Sequence, residues 1–87
     1  IENGIVKAVT KDRQTHIIEQ KLEDVENDLD PSDFHRLNRQ FIVQRDSIAG
    51  IKQYFNGKLI ISVMPPHEEK VIVSKAKATE FKNWMNH

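Results

Sequence analysis

The 87-residue chain has no cysteine. That excludes disulfides, thiolate zinc sites and thiol nucleophiles, and it suits a reducing compartment such as the cytoplasm. No apolar run approaches the roughly 20 residues that span a bilayer, so no membrane segment is expected. The first residues, Ile1-Glu2-Asn3-Gly4, lack the basic start and apolar stretch of a signal peptide. They open abruptly in strand-like sequence, and the chain reads as a fragment of something longer. The four histidines show no His-x-x-x-His pairing, so neither a metal nor another cofactor is expected. Repeats and low-complexity tracts are also missing. An excess of one charge is missing too, with 13 basic and 13 acidic side chains.

That neutrality conceals a division. Residues 1–33 carry four basic and nine acidic side chains, a balance of −5, and residues 34–87 carry nine and four, a balance of +5. A basic binding face is therefore compatible with a neutral total, because the acid lies elsewhere. The length allows one domain, which buries roughly 60–65% of the surface its unfolded chain would expose.

Ile5–Val9 and Thr15–Ile18 read as strands around a polar turn. Leu22, Val25 and Leu29 fall on one stripe of a short helix over residues 21–29, which Asp30-Pro31-Ser32-Asp33 ends. Phe41-Ile42-Val43 is a short buried strand, and Gln44–Ser47 a turn. Residues 51–55 and 58–63 flank Asn56-Gly57, whose tolerance of positive φ predicts a type I′ hairpin. Pro65–Glu69 is a loop and Val71-Ile72-Val73 a further strand. Ser74 then opens a helix with Ala78, Phe81 and Met85 on one face and Trp84 beside them. The order ββαββββα separates the two helices too widely for a helix-turn-helix, and with no crossover rhythm the strands are expected to be antiparallel.

Two stretches are candidates for binding. In Arg36-Leu37-Asn38-Arg39-Gln40 a polar run passes straight into the apolar Phe41-Ile42-Val43. Burying an unpaired guanidinium costs several kcal/mol, so Arg36 and Arg39 must reach water or a partner. They either form ordinary ion pairs with the acidic helix, or Arg39 and Asn38 are presented outward, where Arg reads guanine and Asn adenine. In Ser74-Lys75-Ala76-Lys77, Ser74 is a plausible N-cap. The two lysines stand where stability alone would favour acids. They are either a tolerated surface pair or part of an anion site. Ser-x-x-Lys also occurs in serine acyl-enzymes, but the partner motifs of that chemistry are missing. Tyr54 and Phe55 read as packing rather than a stacking platform, Trp84 as a core cap, His16 as a strand residue, and His35, His67 and His87 as surface.

Taken together, these residues resemble a LytTR-type DNA-binding domain over nearly the whole chain. Leu22–Pro31 resembles the family's Leu-Lys-Glu-Leu-Glu helix and its exit. Phe34–Val43 resembles its Phe-x-Arg-x-His-Arg-Ser-Phe-Ile-Val stretch. Tyr54–Leu59 fits its central hairpin, and Val73-Ser74-Lys75 its Val-Ser-Arg. Asn38 stands where His is usual, Gln40 where Ser is usual, and Lys75 where Arg is usual. Lys lacks the planar fork that reads guanine bidentately.

The resemblance implies a mainly β fold of elongated antiparallel sheets with two short helices, here lacking the family's first strand. It implies a non-enzymatic output domain of a bacterial two-component response regulator, with loops entering successive major grooves of double-stranded promoter DNA. Base contacts are then expected from Arg39, Asn38, Lys75 and Asn3, and phosphate contacts from Arg36, Gln40, Ser74, Lys77 and Gly4. Direct repeats as sites, a homodimer on DNA and a receiver domain ahead of Ile1 are further implications. A protein-interaction module with a basic face and an RNA-binding β module are the alternatives.

Overall fold

The computed structural model describes residues 6–86. Strands β1 (Val6–Val9) and β2 (Thr15–Ile18) form an antiparallel hairpin. Helix α1 (Leu22–Asp28) follows. Strands β3 (Phe34–Arg36) and β4 (Ile42–Gln44) pair as a second ribbon. A single 3-10 turn, Arg45–Ser47, leads to β5 (Ile48–Gln53), which with β6 (Leu59–Val63) and β7 (Val71–Val73) makes an antiparallel sheet in the order β5-β6-β7. Helix α2 (Lys75–Met85) completes the described chain. The domain measures 34 × 25 × 23 Å, mildly elongated.

Strand β3 was not expected from the sequence. Phe34-His35-Arg36 has one apolar residue in three and becomes a strand through its partner, in the register Phe34↔Gln44, His35↔Val43, Arg36↔Ile42. Strand β5 also starts earlier than expected, at Ile48, with a register shift between Ile48 and Gly50. At the hairpin, Asn56 and Gly57 both have positive φ, 58° and 76°, as a type I′ turn requires. The Lys58 N–H donates to the Phe55 carbonyl at 3.3 Å across that turn.

One core holds the β3–β4 ribbon, the β5-β6-β7 sheet and α2 together. It is built from Leu37, Val43, Leu59, Ile61, Val71, Val73, Ala78 and Phe81. Alternation along β6 and β7 turns Leu59, Ile61, Val71 and Val73 inward. Ala78 and Phe81, three residues apart, carry α2 onto them. Phe41 was expected to be the buried anchor of its segment. It is half-buried, edge-on to His67 at 4.9 Å between ring centroids. Leu37 is the fully buried residue of the segment, at 1% exposure, and Phe41 packs against the margin of the same core.

The C-terminal end of α2 is fastened through Trp84 and Arg45. The Trp84 indole N–H donates to the Pro31 carbonyl at 2.8 Å. Arg45 lies 4.2 Å over the Trp84 ring and donates to the Ser32 and Met85 carbonyls. His35, expected at the surface, is half-buried and stacks on the other ring system at 5.0 Å. The Asp30 carboxylate accepts from the Ser32 N–H and hydroxyl, which shapes the turn after α1 and holds its pKa below the ordinary carboxylate value.

Removing the Leu37 side chain should cost about 2–5 kcal/mol, the range for emptying a packed Leu site. Ile17→Ala, at a position 70% exposed, should change stability by less than about 0.5 kcal/mol. Urea unfolding of the two variants checks the contrast.

Candidate nucleic-acid interface

The segment between β3 and β4 is a short loop held from inside. The Leu37 N–H donates to the Phe41 carbonyl at 2.9 Å and closes it. The Asn38 side-chain oxygen accepts from the backbone N–H groups of Gln40 (2.7 Å) and Phe41 (3.0 Å). Its amide nitrogen donates to the Ile72 carbonyl in β7 at 2.8 Å. Arg36 braces the same loop, its guanidinium donating to the carbonyls of Asn38 (3.1 Å) and Arg39 (3.5 Å).

These bonds revise two expected contacts. Asn38 has both oxygen lone pairs occupied, so it lacks the acceptor that bidentate adenine reading needs. Arg36 pairs with Glu26 of α1 at 3.4 Å and is turned into the fold, which is the ordinary ion-pair alternative. Both residues position the loop rather than reach out from it.

Arg39 is different. It is exposed, and among the described residues its guanidinium has no hydrogen bond and no ion pair. Only its backbone carbonyl is engaged, by Arg36. Asn38, Arg39 and Gln40 together line a shallow open depression. Gln40 is exposed beside Arg39 and has its backbone N–H bound to Asn38.

The N-terminus of α2 lies close by, because Asn38 is bonded to Ile72 and Ser74 is only two residues further along. Ser74 occupies the N-cap position, but its hydroxyl makes no capping bond. The first turn contains no acid, and Lys75 and Lys77 are exposed. Such a terminus offers unpaired N–H groups, the positive end of the helix dipole and two ammoniums to an anion. Lys75 runs along the hairpin turn: a Cβ on Gly57 would sit 2.9 Å from its Cγ. Gly57 is therefore required both for its φ of 76° and for the passage of this side chain. Lys58 joins the same edge, being next in register to Ser74 after the pair Leu59↔Val73. Sequence reading missed Lys58, although the Asn-Gly turn marks where its strand begins. Asn3 and Gly4 lie outside the described residues.

A groove of about 470 Å³ runs from this edge between α1 and α2. Arg39 and Lys77 share it with Glu26, His35, Arg36 and Glu80. Burial lowers the His35 pKa, and Lys77 adds to the effect, while Glu80 and Glu26 oppose it. Among the described residues no group of side chains could hold a metal ion, and no helix is long and apolar enough to cross a membrane.

Arg39 on its braced loop and Lys75 and Lys77 at the helix end are exposed, and among the described residues none of them has an ion pair, which makes this edge of a small β-rich domain a candidate anion site. Residues 1–86 match the family described as LytTr DNA-binding domain, and the chain belongs to the LytTR family. Comparison with curated proteins returned no match. Among solved structures it is similar to the LytTr DNA-binding domain of a protein described as a methyl-accepting/DNA response regulator from Bacillus cereus, with a TM-score of 0.83. The two are 22% identical, over 100% of this chain and 77% of that one. The mainly antiparallel β fold with two helices is thus the family's.

Asn38→Ala should lower stability by about 1–3 kcal/mol, since it leaves the Ile72 carbonyl and two N–H groups without partners. It should also increase hydrogen exchange at the Gln40 and Phe41 amides. His35 gives a pH dependence of definite sign. Its folded pKa is depressed, so the unfolded chain binds the proton more readily. Stability is full above about pH 6.5, the ordinary His value, and declines as the pH falls below it. His35→Gln should flatten that slope in urea midpoints measured across this range.

Proposed function

We propose that this domain binds double-stranded DNA sequence-specifically as the output domain of a bacterial transcription regulator, its loops entering successive major grooves. The observation that carries the reading is Arg39, an unpaired guanidinium on a loop fixed by bonds from Asn38 and Arg36. The loop backbone is fixed before binding, so only the exposed Arg39 side chain has to be ordered when its fork meets the O6 and N7 acceptors of guanine. Lys75, passing over Gly57, is a second base contact, as a point charge rather than a fork. Lys77, Ser74, Gln40 and Lys58 serve phosphates on either side, and the α2 N-terminus adds its backbone N–H groups.

The regulator context rests on family membership and on the structural neighbour. A cytoplasmic protein with a receiver domain ahead of this one, two copies on direct repeats of a promoter, and no cofactor fit that reading. A single module would bury on the order of 600–1,000 Å² of protein surface, so paired copies supply the affinity that one lacks.

Phe55 favours the RNA-binding alternative more than the sequence suggested, since it is 57% exposed at the hairpin beside Lys75. Competition decides between the two: duplex DNA should displace a bound duplex far better than single-stranded RNA does, and the reverse ranking would establish the RNA reading.

Selection from a randomised duplex pool should yield a defined site. On that site Arg39→Ala should cost about 1–3 kcal/mol and relax preference at one base pair. Lys77→Ala should weaken all sequences alike and lower the slope of log K against log salt by roughly 1. Titrations in which neither substitution changes binding would reject the assignment of this edge.

A further inference from the structure

The outer face of the β5-β6-β7 sheet carries further cations, Lys52 and Lys70, on the side to which alternation also turns Lys58 and Ser74. Because Leu59, Ile61, Val71 and Val73 turn inward, the cross-strand row Lys52, Ile60, Ile72 turns outward. Alternation puts Tyr54 and Lys70 on the same side. The Lys70 ammonium lies 5.4 Å from the Tyr54 ring centroid, and Tyr54 packs on Phe55 at 4.2 Å. Tyr54, half-buried, and Phe55, exposed, both read from sequence as packing, therefore form part of an apolar ground on which lysines stand. Among the described residues neither Lys52 nor Lys70 has an ion pair. The chain between Asp46 and Glu68 contains no acid at all.

The complement to this face lies elsewhere in the same molecule. Helix α1 exposes Glu23 and Asp24 in its first turn and Asp28 at its end, with no basic residue in its last turn. Of its acids, Glu26 is engaged by Arg36 and Asp28 by Gln20. The sheet's inner face meets the core, Val43 and His35 turn from the β3–β4 ribbon toward that core and α2, and Arg36 on the other face of the ribbon meets α1.

We infer that the acidic helix α1 of one copy docks on the Lys52–Lys70 face of the next copy. Patches that complement each other but not themselves give a head-to-tail contact rather than a two-fold dimer. Direct repeats place successive copies in one orientation, which is the arrangement such a contact continues. Its place on DNA rests on the function proposed above, while the contact itself needs no DNA.

Two charge-reversed variants test it in sedimentation velocity without DNA: Lys52→Glu with Lys70→Glu, and Glu23→Lys with Asp24→Lys. At low salt the unmodified chain should sediment faster as its concentration rises. That rise should vanish in 1 M salt, where the Debye length is about 3 Å. Each variant alone should stay monomeric, because its two patches now share one sign. The equimolar mixture should associate again, because each variant then offers the other an opposite patch. An unmodified chain that stays monomeric at every concentration, or a mixture that does not recover association, overturns the inference. Circular dichroism checks folding, and Lys52→Gln with Lys70→Gln, which should weaken association, replaces a variant that does not fold. The same Gln pair should leave the salt slope of duplex binding unchanged. A slope lower by roughly 2 would assign this face to nucleic acid and also overturn the inference. Recovered association in the mixture without any duplex binding by the unmodified chain would instead overturn only the DNA reading.

Discussion

The bond from the Asn38 amide to the Ile72 carbonyl joins two parts of the chain that must act as one surface. On one side of it is the loop that carries Arg39. On the other is the strand that runs through Val73 and Ser74 into α2. The same side chain closes its own loop by accepting two backbone N–H groups. A residue there must therefore donate in one direction and accept in the other, within a few ångströms of the backbone. Asparagine does this with a single planar amide. A histidine, usual in the family at this position, can donate from one ring nitrogen but has a single lone pair at the other, so Asn38 accepts one more backbone N–H than that side chain can.

The hydrogen bonds alone would not hold the loop. Leu37 buries the start of the loop in the core, and Arg36 beside it donates to the carbonyls of Asn38 and Arg39. The cost of ordering the loop backbone is thus met in folding, while the Arg39 side chain, with no hydrogen bond or ion pair among the described residues, keeps its rotamer freedom. The far end of α2 is fixed separately by the stack of Arg45, Trp84 and His35 and by the Pro31 carbonyl. With Phe81 fully buried midway, the helix has little freedom to move its N-terminus away from the loop.

Charge is arranged by the same layering. One arginine of the basic stretch neutralises an acid of α1, and the next does not, although only three positions separate them. The difference is burial: Arg36 lies on the β3 ladder facing α1, whereas Arg39 is past the point where the ladder ends. The acidic half of the sequence therefore does not cancel the basic edge, and among the described residues Lys52 and Lys70 of the outer sheet face have no ion pair either.

Much of the fold was legible along the chain. Periodicity located α1 and α2, the Asn-Gly pair located the β5–β6 turn, and the run of acids gave the charge division. These are local properties, set by side-chain spacing and by backbone preference at one or two residues. Strand β3 was not legible, because a polar triplet becomes a strand only when a partner strand supplies the ladder. Nor could the sequence tell which of Arg36, Asn38 and Arg39, all polar candidates for DNA, would be engaged within the fold. Their roles depend on which of them finds a carboxylate or a carbonyl within reach, and those acceptors come from Glu26 and Ile72, ten and 34 positions away. The sequence determined that cations would crowd this segment. Only the packing of α1 and β7 against it decided that two residues of the set would face inward and Arg39 alone would be left unpaired.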